Sequence, residues 1–314
     1  MLKAKKNTSV VVAAKKKPMS RRRIAFIIAC CIFPVLNWLV FYIYVNLSSF
    51  TLAFTNKDGV LTLANFIRFW KELRNPLSDI SIAFRNTFLT FGINLITYPL
   101  KVLVAYFIYK KVPGAALYRI LFFVPKMLFD VAEIMIITKL LSPQGFIAQG
   151  IGEWLNLGHV PELLADSRFA NTTVFAHLLW SGFAGNLIIW GGTFARIPEE
   201  LSECGRIDGT TWWTEFTKIT VPLVWPQIAL DLVLSFCGIF SASGAVFLLT
   251  KGNYGTMTLT AWMYLQVYNV SAGVGSTNAF NYLSAVGFVL TFVSIVISLI
   301  VRRYTDKAFD DVQF

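Results

Sequence analysis

The chain has 314 residues, 56% of them hydrophobic and only 14% charged, and its mean hydropathy is +0.61. A soluble domain carries about a quarter charged residues, so part of this chain's solvent must be lipid. The net charge of +11 would suit a nucleic-acid partner, yet its placement along the chain argues for membrane orientation instead.

Residues 1–23 form a basic tail of low complexity with Lys3, Lys5, Lys6, Lys15, Lys16, Lys17, Arg21, Arg22 and Arg23; it is expected to be mobile. Apolar runs follow at 24–45, 84–108, 120–141, 172–194, 221–249 and 279–301. At about 1.5 Å per residue, each can cross a hydrocarbon core of about 30 Å. The alternation of a barrel strand is missing, and helices are the other structure that satisfies its backbone in lipid. The expected fold is therefore an all-α polytopic membrane protein, with six transmembrane helices between residues 24 and 302. No small-residue cleavage site follows the first run, which reads as an uncleaved span.

With the N-terminus inside, the cytoplasmic segments collect most of the basic residues. Beyond the tail these are Lys110, Lys111 and Arg119; Arg196, Arg206 and Lys218; and Arg302, Arg303 and Lys307. This is the positive-inside pattern, and an even number of spans returns the C-terminal tail, 303–314, to the cytoplasm. The cysteines lack metal-ligand spacing and are not expected to form disulfides. Between the first two spans, residues 63–70 repeat apolar positions at helical spacing and predict a short helix on the outer surface. The third-to-fourth connection, 142–171, has room for small structure around 150–157. The fifth-to-sixth connection, 250–278, is rich in Gly, Ser and Thr and predicts an outer loop.

The connection at 196–222 is the most informative. Pro198 followed by Glu199 and Glu200 suits a helix start, where a missing N–H costs nothing and acids meet the positive dipole end. Gly209 can end that helix in a left-handed conformation. A second helix is expected from a hydroxyl cap at Thr210 or Thr211, with Glu215 in its early turns. Pro222 then marks the start of the fifth span. A helix–glycine–helix elbow results.

Within this elbow, Glu203-Cys204-Gly205 is followed after three residues by Gly209, and nine residues later by Ile219-Thr220-Val221-Pro222. The register closely resembles the cytoplasmic Glu-Ala-Ala loop of binding-protein-dependent ABC permeases; Cys204, Gly205 and Val221 are small or conservative departures. Ile207-Asp208-Gly209, Trp212, Phe216 and Ile219-Thr220 resemble the carbohydrate-uptake branch in particular. Arg85-Asn86-Thr87, Pro143-Gln144-Gly145 and Pro198-Glu199-Glu200-Leu201 extend that resemblance over nearly the whole chain after residue 20.

The resemblance implies a type I ABC importer permease in a bacterial or archaeal inner membrane, forming half of the pathway for a sugar or oligosaccharide. It implies a second permease, two ATPase subunits holding ATP and Mg, and an extracytoplasmic solute-binding protein, with no nucleic acid. Its elbow would couple to an ATPase through Glu203, Cys204, Gly205, Asp208, Gly209, Trp212, Phe216, Ile219 and Pro222. Glu203 would meet a partner arginine or cap its own helix, while Trp212, Trp213 and Phe216 would contact either the ATPase or the permease's own helices. A permease for another solute and a stand-alone secondary carrier are the alternatives; the carrier would need inverted repeats, which the sequence lacks. The chain also lacks a phosphate-binding Gly-x-x-x-x-Gly-Lys-Ser/Thr loop. His159 and His177 stand too far apart in sequence to suggest a metal or triad site. A non-catalytic subunit without cofactor or metal is expected.

Ionisable residues within spans default to a functional hypothesis. Lys126 and Asp130 are spaced to pair along one helical face, and Lys101 and Lys139 lie toward span ends, where they can snorkel. Glu133 would line a wet cavity or pair with the second permease, and Asp231 would brace the cytoplasmic gate. A sugar needs hydrogen-bonding groups and aromatic platforms. The fourth span offers Trp180, Ser181, Gly182, Gly185, Asn186 and Trp190, and the fifth Ser235, Gly238, Ser241, Ser243 and Gly244. Close helix packing through small residues is the competing reading of these positions.

Overall fold

The computed structural model describes residues 21–56, 58–154, 160, 162–241, 244–273 and 279–308, without the side chains of 21, 23–25, 122–126, 130, 184–186, 188 and 244. The basic tail before residue 21, His159 and Ser243 therefore lie outside the described residues. The chain divides into two units, Met1–Thr51 and Leu52–Phe314. Among the described residues no strand forms, and only an isolated bridge pairs Thr55 with Leu61.

The first span runs through α1 (Arg21–Trp38), a π-helical stretch (Leu39–Tyr44) and α2 (Val45–Ala53). Pro34 lies inside α1, where it removes a helical donor shortly before the backbone widens. The second unit holds α3 (Ala64–Arg74), α4 (Asp79–Tyr109), α5 (Ala115–Met127), α6 (Asp130–Leu141), α7 (Phe146–Trp154) and α8 (Ala170–Phe194). After these come α9 (Glu199–Ile207), α10 (Trp212–Glu215), a π-helical turn (Phe216–Thr220), α11 (Val221–Cys237), α12 (Gly244–Thr250), α13 (Leu259–Ser271) and α14 (Ala279–Ala308).

Among the described residues, four helical stretches are long and apolar enough to cross a membrane: Phe26–Ala53, Asp79–Tyr109, Trp212–Cys237 and Ala279–Lys307. Val131–Leu141 and Phe146–Trp154, which meet at 42°, add a fifth only if the bent pair is one span rather than a re-entrant loop. The helix α8 coincides with the fourth predicted span. Two predicted spans are interrupted. The third divides between α5 and α6, where Leu128 and Phe129 are both extended; Pro125 just upstream removes a helical N–H, and an acid at position 130 suits a new N-terminus. The fifth stops at Cys237, capped by Gly238, and resumes at α12. Apolar runs hide such breaks, because a turn built from apolar residues leaves periodicity unchanged.

The expected outer loop at 250–278 contains a helix, α13. Gly252, Gly255 and Gly273 take positive φ in the flanks, while the segment between is largely apolar and includes Thr260. The start of α13 is capped from another helix: the Thr87 hydroxyl accepts from the Leu259 N–H at 2.9 Å, and no cap comes from the Thr258 side chain. Next to it, the Asn86 amide donates to the carbonyls of Gly255 (2.6 Å) and Met257 (2.8 Å). Both α4 residues are fully buried. Replacing Thr87 with valine keeps the shape and strands a buried donor, a loss of about 1–3 kcal/mol. Thermal unfolding of the purified protein is expected to shift down accordingly, and an unchanged midpoint would count against the cap.

The predicted short helix at 63–70 exists as α3, and its Phe69 is buried with Ile80, Ala83, Leu259, Trp262 and Tyr282. A second cluster joins α6, α8, α12 and α13 through Ile134, Val174, Val246, Leu249 and Ala261. The third carries the elbow. It gathers Val102, Tyr106 and Ile108 of α4, Leu187, Trp190 and Phe194 of α8, Phe216, and Val224 and Ile228 of α11.

Candidate functional site

The elbow folds as its sequence directs. Pro198 precedes α9, and Glu199 and Glu200 occupy the first turn. At the far end Gly209 has φ +72. Its N–H donates to Arg206 O (3.1 Å), and that of Thr210 donates to Gly205 O (2.9 Å). This paired closure satisfies carbonyls that a helix end would leave open. An L side chain at this φ costs about 1–2 kcal/mol. Thr211 then caps α10 by accepting from Thr214 N at 3.3 Å. The chain continues without interruption through the π-helical turn into α11. Hence α10 is the root of a long helix rather than a loop hung between two.

The side chains divide by direction. Gly205 is buried: a Cβ there would stand 3.0 Å from the Thr210 hydroxyl and 3.3 Å from Ile219 Cδ1, which explains the small residue at that place. Phe216 turns inward, 8% exposed, against Tyr106 at 5.1 Å between ring centroids. Of the two contacts the sequence left open for it, the structure gives its own helices. Trp212 rests on Phe107 (5.3 Å) and Trp213 on Phe216 (6.0 Å), but each keeps about half its surface exposed. Glu203, Cys204 and Asp208 are exposed, and Ile207 is 85% exposed. Pro222 is half-buried in the first turn of α11. The outward face of the elbow is therefore Glu203, Ile207, Trp212 and Trp213.

A polar clamp holds this knob in place. Lys110, just past the end of α4, pairs with Glu215 of α10 and donates to Ser202 of α9 at 2.6 Å. Ser202 in turn donates to Glu215 at 2.7 Å. Three elements thus meet at one carboxylate. Sequence reading assigned Lys110 to topology and placed Glu215 in the early turns of the second helix; their separation of 105 positions hides the contact.

The second site is a cavity of about 520 Å³ between α4, α8 and α11. Of the residues proposed for the pathway, Gly182, Ser235, Gly238 and Ser241 line it, together with Asp231. Trp180 and Ser181 lie outside its lining. Gly185 and Asn186 are helical in α8 with side chains beyond those described, as are the side chains of Lys126 and Asp130. The wall that sequence reading missed comes from α4: Thr90, Phe91, Asn94, Tyr98 and Lys101. The spacing of Thr90, Asn94, Tyr98 and Lys101 is that of one helical face, so the signal was present in an apolar run.

Lys101 corrects an expectation. It does not snorkel outward; it is 4% exposed, and its Nζ donates to Asn94 Oδ1 at 2.9 Å. Across the cavity, Asp231 accepts from the Tyr98 hydroxyl at 3.2 Å and from Gln227 Nε2 at 2.7 Å. Glu133 is buried, with His177 Nδ1 3.9 Å from its Oε1. It lies in the α6–α8 packing and outside the cavity lining.

Residues 26–310 match the family described as "Binding-protein-dependent transport system inner membrane component". The chain belongs to this family. Its members are inner-membrane components of transport systems, and the helical stretches above make this one a multi-pass membrane protein. Among curated relatives, the lactose transport system permease protein LacF of Rhizobium radiobacter is 22% identical over 277 residues, covering 88% of this chain and 89% of LacF. The arabinooligosaccharides permease AraP of Bacillus subtilis is 27% identical, covering 85% and 84%. The maltose/maltodextrin permease MalF of Vibrio vulnificus (strain YJ016) is 27% identical over 77% of this chain, which spans only 47% of that longer protein. By structure, a chain of a bacterial ABC transporter that imports the acidic polysaccharide alginate superposes with a TM-score of 0.75 at 19% identity, covering 91% of this chain and 97% of that one. The two chains share one fold.

Proposed function

We propose that this chain is one permease half of an ATP-driven importer for a sugar or oligosaccharide. Six spans would place both termini and the 196–222 elbow in the cytoplasm, as the basic residues favour. A second permease would complete the pathway, a solute-binding protein would deliver cargo, and two ATPase subunits would hold ATP and Mg and do the catalysis. The sugar relatives favour carbohydrate cargo. The observation that carries the reading is the elbow's build: an exposed apolar and acidic face on a knob fixed from behind by buried aromatics and an ion pair. Such a knob transmits a push, because its outer face is free to dock while its inner face cannot yield.

In this arrangement Glu203, Ile207, Trp212 and Trp213 touch the ATPase; Gly205, Phe216 and Ile219 hold the knob; Gly209 shapes it. The cavity at Asn94, Gly182, Ser235 and Ser241 is the passage for cargo. Ile207→Asp places a charge on the docking face without touching the clamp. It is expected to reduce co-purification of the ATPase subunits and ATP-dependent uptake by about a hundredfold, the scale of an interface anchor. Undiminished association would refute the docking assignment.

A further inference from the structure

We propose that Lys101 and Asp231 form a latch across the cavity, open in this structure and closed as an ion pair when α4 and α11 draw together. The inference rests on the permease reading, since a latch has meaning only if the cavity opens and closes. Both residues line the same cavity. In the open arrangement each charge is held by neutral partners: Lys101 by Asn94, Asp231 by Tyr98 and Gln227. Charges so placed in a membrane interior are costly, and their mutual attraction grows steeply as separation and water content fall.

The geometry places both groups on one cavity wall and its facing helix. Tyr98 and Lys101 are three residues apart and share one face of α4, and the Tyr98 hydroxyl already touches Asp231. As α4 and α11 approach, the ammonium would leave its upstream acceptor for that carboxylate. The open position is built as well. Asn94 is oriented by donating its amide to Thr90 O at 3.0 Å, which turns its Oδ1 toward Lys101. Opposite stands Gly182, where a Cβ would come within 3.2 Å of Lys101 Nζ and 3.5 Å of Asn94 Oδ1. The lysine thus has one parking place and one carboxylate, on the same cavity.

Cargo hydroxyls seated between the two groups would hydrogen-bond to both and keep them apart, so an occupied cavity resists closure. The latch then ties the conformational cycle to delivery of the cargo.

The test uses the whole complex in proteoliposomes, with K101M, D231N and the exchange K101D/D231K. Each single variant is expected to lower uptake per ATP hydrolysed about tenfold, the scale of a coupled pair, and the exchange to recover most of that loss. An exchange no better than the product of the single effects would overturn the latch. Should the single variants fold poorly, K101C/D231C supplies the answer through a short bifunctional thiol reagent. Cross-linking is expected to differ severalfold between nucleotide-free and nucleotide-trapped complex, and equal yields in both would overturn the proposal. Absence of ATP-dependent uptake by the unaltered complex would instead sink the permease reading.

Discussion

Phe216→Ala is expected to detach the elbow from the helix bundle, with the largest single effect of any substitution considered. Its ring is the elbow's contribution to the cluster of Tyr106, Trp190, Phe194, Val224 and Ile228. Truncating a buried phenylalanine costs about 3–5 kcal/mol in lost transfer energy and residual cavity. It also removes the surface on which Trp213 rests. Detergent-purified protein should lose thermal stability by several degrees, and any complex that still assembles should hydrolyse ATP without matching uptake. Phe216→Leu, which fills most of the same space, should recover the greater part of both. If the alanine variant kept full uptake per ATP, the elbow's rigidity would be irrelevant to transport.

Glu215→Ala should come second. It removes the one acceptor shared by Lys110 and Ser202, leaving a largely buried ammonium without its counter-charge. Breaking such a pair costs up to about 3–5 kcal/mol when fully buried; here the lysine side chain is 29% exposed, so solvent reduces the penalty to the lower end or beneath it. The functional loss should exceed the stability loss, because the clamp ties α9 and α10 to the end of α4. ATPase subunits should still co-purify through the intact outer face while uptake falls at least about tenfold. Lys110→Met should reproduce the phenotype. The double variant should be little worse than either single one, as members of one unit are not additive. A double variant with fully multiplied effects would show that the two residues act separately.

Much of this was readable from residue order. Proline then two glutamates, a glycine at +72, and a threonine cap specify the elbow through local chemistry alone, and each appears where the sequence places it. The helical runs at 84–108, 172–194 and 279–301 were equally plain. What escaped were properties that depend on which elements meet. Lys101 could be placed near a span end by counting, but its direction is set by Asn94 and by the space at Gly182. The helix α13 was hidden because turn-forming residues on both sides coloured a whole segment, and because its cap is supplied by Thr87, far away in sequence. The division of the third and fifth spans was masked by apolar residues that suit either a helix or a turn. Phe216 and Trp212 had the same sequence signature and different fates, decided by packing against α4.

One consequence follows from α4 itself. This single helix caps α13 through Thr87 and anchors the elbow through Lys110, 23 residues further on; at about 1.5 Å per residue the two attachments stand roughly 35 Å apart. Pro99 interrupts the hydrogen-bond ladder between them, beside Tyr98 and Lys101, where a helix bends most readily. A tug delivered at the elbow therefore reaches the opposite end along one lever, and its fulcrum sits at the cavity wall.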